Sequence, residues 1–101
     1  MENSREYTTD EIREKFMDHV RELINYWDNV DRETSKEKIE GFAHSLLATI
    51  DGSSMDLPGF VLAPSSHHTD KQYHIDNDDN YYPENESDSD IAGSLHERLY
   101  K

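Results

Sequence analysis

Histidine and carboxylate side chains crowd into one short stretch. His67, His68, Asp70, His74 and Asp76 fall within ten residues, and imidazole with carboxylate is a ligand set for zinc and other divalent metals. On a helix, the spacing of Asp70 and His74 would place both on one face. The H-E-x-x-H pattern of zinc proteases is absent. These five residues therefore define an alternative divalent-metal reading, and the main expectation is no metal and no cofactor. The run from Asp76 starts like a calcium loop, with Asp76, Asp78 and Asn80 at its first, third and fifth positions. It then departs, because Tyr81 stands where the loop needs Gly and Ser87 where it needs a bidentate Glu. Nucleophile–base pairs are no better placed. Ser45 follows His44, and Ser94 precedes His96 by two residues. On a helix neither spacing brings hydroxyl to imidazole. There is no G-x-S-x-G elbow, no P-loop and no G-x-G-x-x-G. The sequence predicts a protein that is not an enzyme.

What remains is the charge itself. The formal net charge is −13 at pH 7, which disfavours direct contact with nucleic acid and anionic membranes and favours basic surfaces. Residues 1–74 carry 15 acidic and 8 basic side chains, and residues 75–101 carry 8 and 2. From His74 to Gly93 there are seven acids, no Lys or Arg, and the pair Tyr81 and Tyr82 in the middle. Such a row of carboxylates resembles phosphates to a partner's Lys and Arg, and Tyr supplies rigid contact area amid polar rims. The expected contact surface is Asp76, Asp78, Asp79, Tyr81, Tyr82, Glu84, Glu86, Asp88 and Asp90. The expected partner is a basic protein surface on a nucleic-acid-binding protein, occupied as a nucleic-acid mimic would occupy it, in the manner of phage inhibitors of host defence. The blander alternative is a solubilising loop over 76–90. A homo-oligomer is compatible with either.

Stepwise apolar spacing sets the elements that would carry these groups. In YTTDEI, Thr8 and Glu11 form a capping box, with Tyr7 and Ile12 at the hydrophobic-staple positions. Ile12, Phe16, Val20, Leu23, Trp27 and Val30 then trace one stripe, predicting a helix over about 9–29. Thr34 and Glu37 repeat the capping box. Ile39, Phe42, Ala43, Leu46, Leu47 and Ile50 form a second stripe, and Gly52 suits a helix C′ position. Gly41 inside that helix costs roughly 1 kcal/mol relative to Ala, a cost that close approach of the first helix would justify. The short connection predicts an antiparallel hairpin. Its expected core is Phe16, Val20, Leu23, Trp27, Ile39, Phe42, Leu46 and Ile50, with Leu95 added from a C-terminal helix in SDSDIAGSLHERLYK. Asp88 or Ser89 would cap that helix. Thr69 and Gln72 suggest a short helix between, and Leu57-Pro58-Gly59 begins an extended stretch through Phe60–Ala63.

The fold expectation is thus a mainly α single small domain spanning 1–101, a helical hairpin plus C-terminal helix with an extended middle segment. The alternative is a small α+β fold in which Phe60–Ala63 pairs as a strand. Absence of cysteine fits a reducing cytoplasm, and the N-terminus has no signal-peptide pattern. YWDNV, KEKIEGFAHSLLATIDG, LPGF and SLHERLYK together resemble small uncharacterised bacterial or phage-encoded proteins. That resemblance implies a cytoplasmic bacterial setting and no particular chemistry.

Overall fold

A computed structural model describes residues 4–31, 33–85 and 89–100. The protein is mainly α, with helices α1 (Thr9–Asp28), α2 (Ser35–Ile50), α3 (Asp70–Asp76) and α4 (Leu95–Arg98), and no strand among the described residues. No helix is long and apolar enough to cross a membrane among the described residues. The chain divides into two compact units, Met1–Leu47 and Ala48–Lys101.

In the first unit both capping boxes form. Thr8 Oγ1 accepts from the Glu11 amide at 3.1 Å, and Glu11 Oε1 accepts from the Thr8 amide at 2.9 Å. Arg5 adds a two-pronged contact to the same carboxylate at 2.8 and 2.7 Å. Arg5 and the Thr8 amide hold the Glu11 carboxyl down to about 2. At α2, Thr34 Oγ1 and Glu37 Oε1 make the reciprocal pair at 3.1 and 3.0 Å. The first helix ends at Asn29, whose side-chain amide returns to the Asn25 carbonyl at 2.7 Å.

Hairpin packing centres on Trp27. Its indole Nε1 donates to Ser45 Oγ at 3.0 Å, and its six-membered ring lies where a β-carbon on Gly41 would be. Glycine is therefore required by close approach, as the helix-interior position implied. Lys38 Nζ donates to the Asp28 carbonyl at 3.1 Å and joins the start of α2 to the end of α1. Phe16, Val20, Leu23, Trp27, Phe42 and Leu46 are half-buried. Ile39 corrects the expected core, because it is 68% exposed. The staple residues Tyr7 and Ile12 are exposed as well.

The second unit starts with the end of α2. Gly52, at φ +92, occupies C′. Its amide bonds to the Thr49 carbonyl at 3.1 Å and that of Ser53 to Ala48 at 2.9 Å, the paired bonds of a Schellman ending. Thr49 and Leu57 are the buried residues among those described in this unit, and the Phe60 amide returns to the Ile50 carbonyl at 2.9 Å. Phe60–Ala63 stays extended without becoming a strand. Leu62 instead makes two isolated bonds: its amide donates to Asp90 Oδ1 at 2.9 Å, and its carbonyl accepts from Ile91 at 2.8 Å. The C-terminal helix is shorter than its sequence pattern. It begins only after Gly93 at φ +121, and Ser94 makes no side-chain cap bond. Ile91 therefore lies outside it, while Leu95 is half-buried as expected. Asp88, one of its two expected caps, lies outside the described residues.

Asp51 replaces the missing cap. Its side chain is 1% exposed. Oδ1 accepts from the Gly93 amide at 2.6 Å; Oδ2 accepts from the His96 amide at 2.9 Å and lies 2.5 Å from His96 Nδ1. Burial pushes this carboxyl up, but the His96 amide and ring and the Gly93 and Leu95 amides outweigh it and hold it well below the usual range.

Two outcomes follow. Gly41→Ala gains roughly 1 kcal/mol of helix propensity but drives a methyl into the Trp27 ring, an overpacking cost of about 1–3 kcal/mol. Urea unfolding followed by Trp27 fluorescence should show net destabilisation. A depressed carboxyl stabilises the fold above its unfolded value of 3.8 and loses that contribution as pH falls below it. The thermal midpoint should therefore drop below about pH 4. Asp51→Asn should melt lower at neutral pH and show a shallower acid decline.

Candidate functional site

The acidic segment begins as a helix ending. Asp76 is the last residue of α3, and Asn77 caps it, with its side chain donating to the Tyr73 carbonyl at 2.7 Å. Asp78 stands at φ +58, in the left-handed region. Its amide bonds to the Ile75 carbonyl at 3.1 Å, and the Asp79 amide to His74 at 2.9 Å. This is a second Schellman ending, with Asp where Gly is usual. The spacing that resembled the first positions of a calcium loop is thus local cap geometry. At the start of α3, Thr69 makes no cap bond. Asp70 Oδ2 instead accepts from the His67 amide at 2.8 Å, and His67 Nδ1 lies 2.8 Å from Thr69 Oγ1.

These contacts disperse the alternative metal set. The His67 and His68 rings lie tilted against each other at 4.1 Å between centroids, and Asp76 Oδ1 accepts from Gln72 at 2.8 Å. His74 turns its ring edge-to-face with Tyr73 at 5.5 Å. Among the described residues, no three of His67, His68, Asp70, His74 and Asp76 bring ligand atoms within 4.8 Å of one another.

The expected contact residues do share an exposed segment. Asp76, Asp78, Asp79, Tyr81, Tyr82, Glu84 and Asp90 are all exposed, with Tyr81 at 49% and Tyr82 at 61%. Glu86 and Asp88 lie outside the described residues. Asp90 has a structural duty: its Oδ1 accepts from the Leu62 and Ala92 amides at 2.9 and 3.0 Å. His74, Asp79, Asn80, Tyr81 and Tyr82 line a hollow of about 400 Å³. His74 Nδ1 is buried and makes no hydrogen bond within the protein.

One member of the surface escaped the sequence reading. Lys71, on α3, places Nζ 5.2 Å from the Tyr81 ring centroid and 3.8 Å from Glu84 Oε1. An ammonium over a tyrosine face is held by the ring quadrupole, and the carboxylate adds a screened attraction. The signal was available: Lys71 is the sole Lys or Arg between residues 39 and 97. The buried Asp51–His96 pair was missed too, since 45 residues separate its members and no local pattern links them.

No protein-family model, curated protein or solved structure matches the chain.

The Asp78 backbone makes a separable prediction. Asp78→Gly should hold or raise stability by about 0.5–1 kcal/mol, because glycine adopts positive φ without steric cost. Asp78→Ala should lower it by a similar amount. Chemical unfolding of both variants checks whether the aspartate is there for its backbone or for its charge.

Proposed function

We propose that this protein is a binding module whose acidic, tyrosine-bearing segment engages a basic surface on a nucleic-acid-binding protein and keeps nucleic acid out of it. The observation that carries this reading is Lys71. Its ammonium is already shared between the Tyr81 ring and the Glu84 carboxylate. A partner's Lys or Arg side chain would find the same two kinds of group, aromatic face and carboxylate, repeated along Asp76, Asp78, Asp79 and Tyr82. Exposure of both tyrosines beside those acids supports them as anchors. The mechanism is competitive: carboxylates take the cationic side chains that would otherwise hold phosphates. The resemblance noted for the sequence suits a bacterial or phage setting, in which such an inhibitor would act in the cytoplasm. No step of substrate turnover is involved.

The test is affinity capture from bacterial lysate at low and high salt, followed by a nucleic-acid-binding assay on each captured protein. Attraction between exposed charges fades as the Debye length shrinks from about 8 Å at physiological ionic strength to about 3 Å at 1 M. A basic partner should therefore be captured at low salt and released at high salt, and its nucleic-acid binding should fall as this protein is added. A variant with Asp76, Asp78 and Asp79 changed to Asn, and Tyr81 and Tyr82 to Ala, should keep its helical circular dichroism and lose the partner. Equal capture by that variant would reduce the segment to a solubilising loop.

A further inference from the structure

Ile39 belongs to the apolar stripe of α2, yet it lies 68% exposed, and Ile24 on α1 is 52% exposed. Both line one groove. Ile24 and Trp27 come from α1 and Ile39 and Phe42 from α2, each pair separated by three residues, with Asp28, Ser35 and Lys38 at the polar edge. The groove has a volume of about 380 Å³. It is a preformed surface. Trp27 is pinned by its hydrogen bond to Ser45 and by the space that Gly41 leaves for it. Tyr26, 62% exposed, meets the Trp27 ring edge-on at 5.2 Å. Trp and Tyr are residue types enriched at interaction hot spots, and here they stand beside an apolar valley.

We infer that this groove docks the apolar face of an amphipathic helix whose flank is basic, supplied by a partner protein. A valley between two helices accepts side chains at helical spacing from a third. The basic flank follows from charge at the turn end of the hairpin. Residues 28–40 hold Asp28, Asp31, Glu33, Glu37 and Glu40 against Arg32, Lys36 and Lys38. The two lysines there are already engaged, Lys36 with Glu40 at 3.8 Å and Lys38 with the Asp28 carbonyl. Glu33 and Glu37 crowd each other: a hydrogen bond from Glu33 to Glu37 and their mutual repulsion raise the Glu33 carboxyl above its ordinary value. A cation brought in by a ligand relieves that repulsion. A second copy of this chain, at −13, would add to it. The groove lies in the first unit and the acidic segment in the second, so this inference stands apart from the proposed function.

Trp27 is the sole tryptophan, so its emission reports on the groove. The probes are a Leu/Lys amphipathic helical peptide, a scrambled peptide of equal composition, and a Leu/Glu counterpart. The Leu/Lys helix should shift Trp27 emission to shorter wavelength with saturation, and the other two should not. Because Ile24 and Ile39 are exposed, the pair Ile24→Glu and Ile39→Glu should keep its helical circular dichroism while weakening binding about tenfold or more, a loss of about 1.4 kcal/mol. The acidic-segment variant should bind the peptide unchanged. Equal binding of the scrambled peptide, equal binding of the Leu/Glu helix, or full binding by the double variant would each overturn the inference. So would concentration-dependent dimerisation abolished by Ile39→Glu, which would make a second copy the occupant.

Discussion

A carboxylate withdrawn from water must be surrounded by donors, and the second unit is arranged to surround Asp51. Its oxygens collect the amides of Gly93, Leu95 and His96 and the His96 ring. The same residue closes α2 and opens α4, so one side chain serves as the boundary of two helices. A four-residue helix has no independent stability in water, and Ser94 does not cap it. Between these ends the Phe60 amide returns to the Ile50 carbonyl, and Leu62 bonds to Asp90 and Ile91, just before the terminal segment that Asp51 holds.

This reliance on discrete bonds reflects how little is buried. Thr49 and Leu57 are the buried residues among those described, and the helical stripes are only half-covered. A small chain with 33% hydrophobic and 33% charged residues cannot close a large core. Capping boxes, Schellman endings and the Trp27–Ser45 bond take up the specification that packing would otherwise supply. The same shortage leaves apolar and aromatic side chains at the surface, where they are grouped. One group rims the hairpin groove and the other sits among the carboxylates after α3. Both groups are exposed to solvent and combine aromatic with apolar or acidic side chains.

Trp27 and Lys71 show how a residue's role depends on its neighbours. Stripe position marked Trp27 as core, and it does pack across the hairpin. Packing on Gly41 also turns it into a groove wall. Lys71 is a lone cation in a long acidic stretch, and its ammonium lies between the Tyr81 ring and the Glu84 carboxylate.

Both long helices, their capping boxes, the Gly52 ending and the reason for Gly41 were legible in the sequence. Each rests on side chains three or four positions apart, or on the one residue that tolerates a given backbone angle, and such relations are written locally. The exposed run of acids and tyrosines was legible for the same reason, since high charge density keeps a segment in water. The Asp51–His96 clasp, the pairing of Leu62 with Ile91, the late start of α4 and the exposure of Ile39 were not. Periodicity says which side chains share a face, and it is silent on whether anything arrives to cover that face. Asp78 in the left-handed region was hidden by its type, which suggests a ligand before it suggests a cap. Those features were decided by tertiary structure, because a buried carboxylate 45 residues from its imidazole finds its donors only once the intervening chain has folded back.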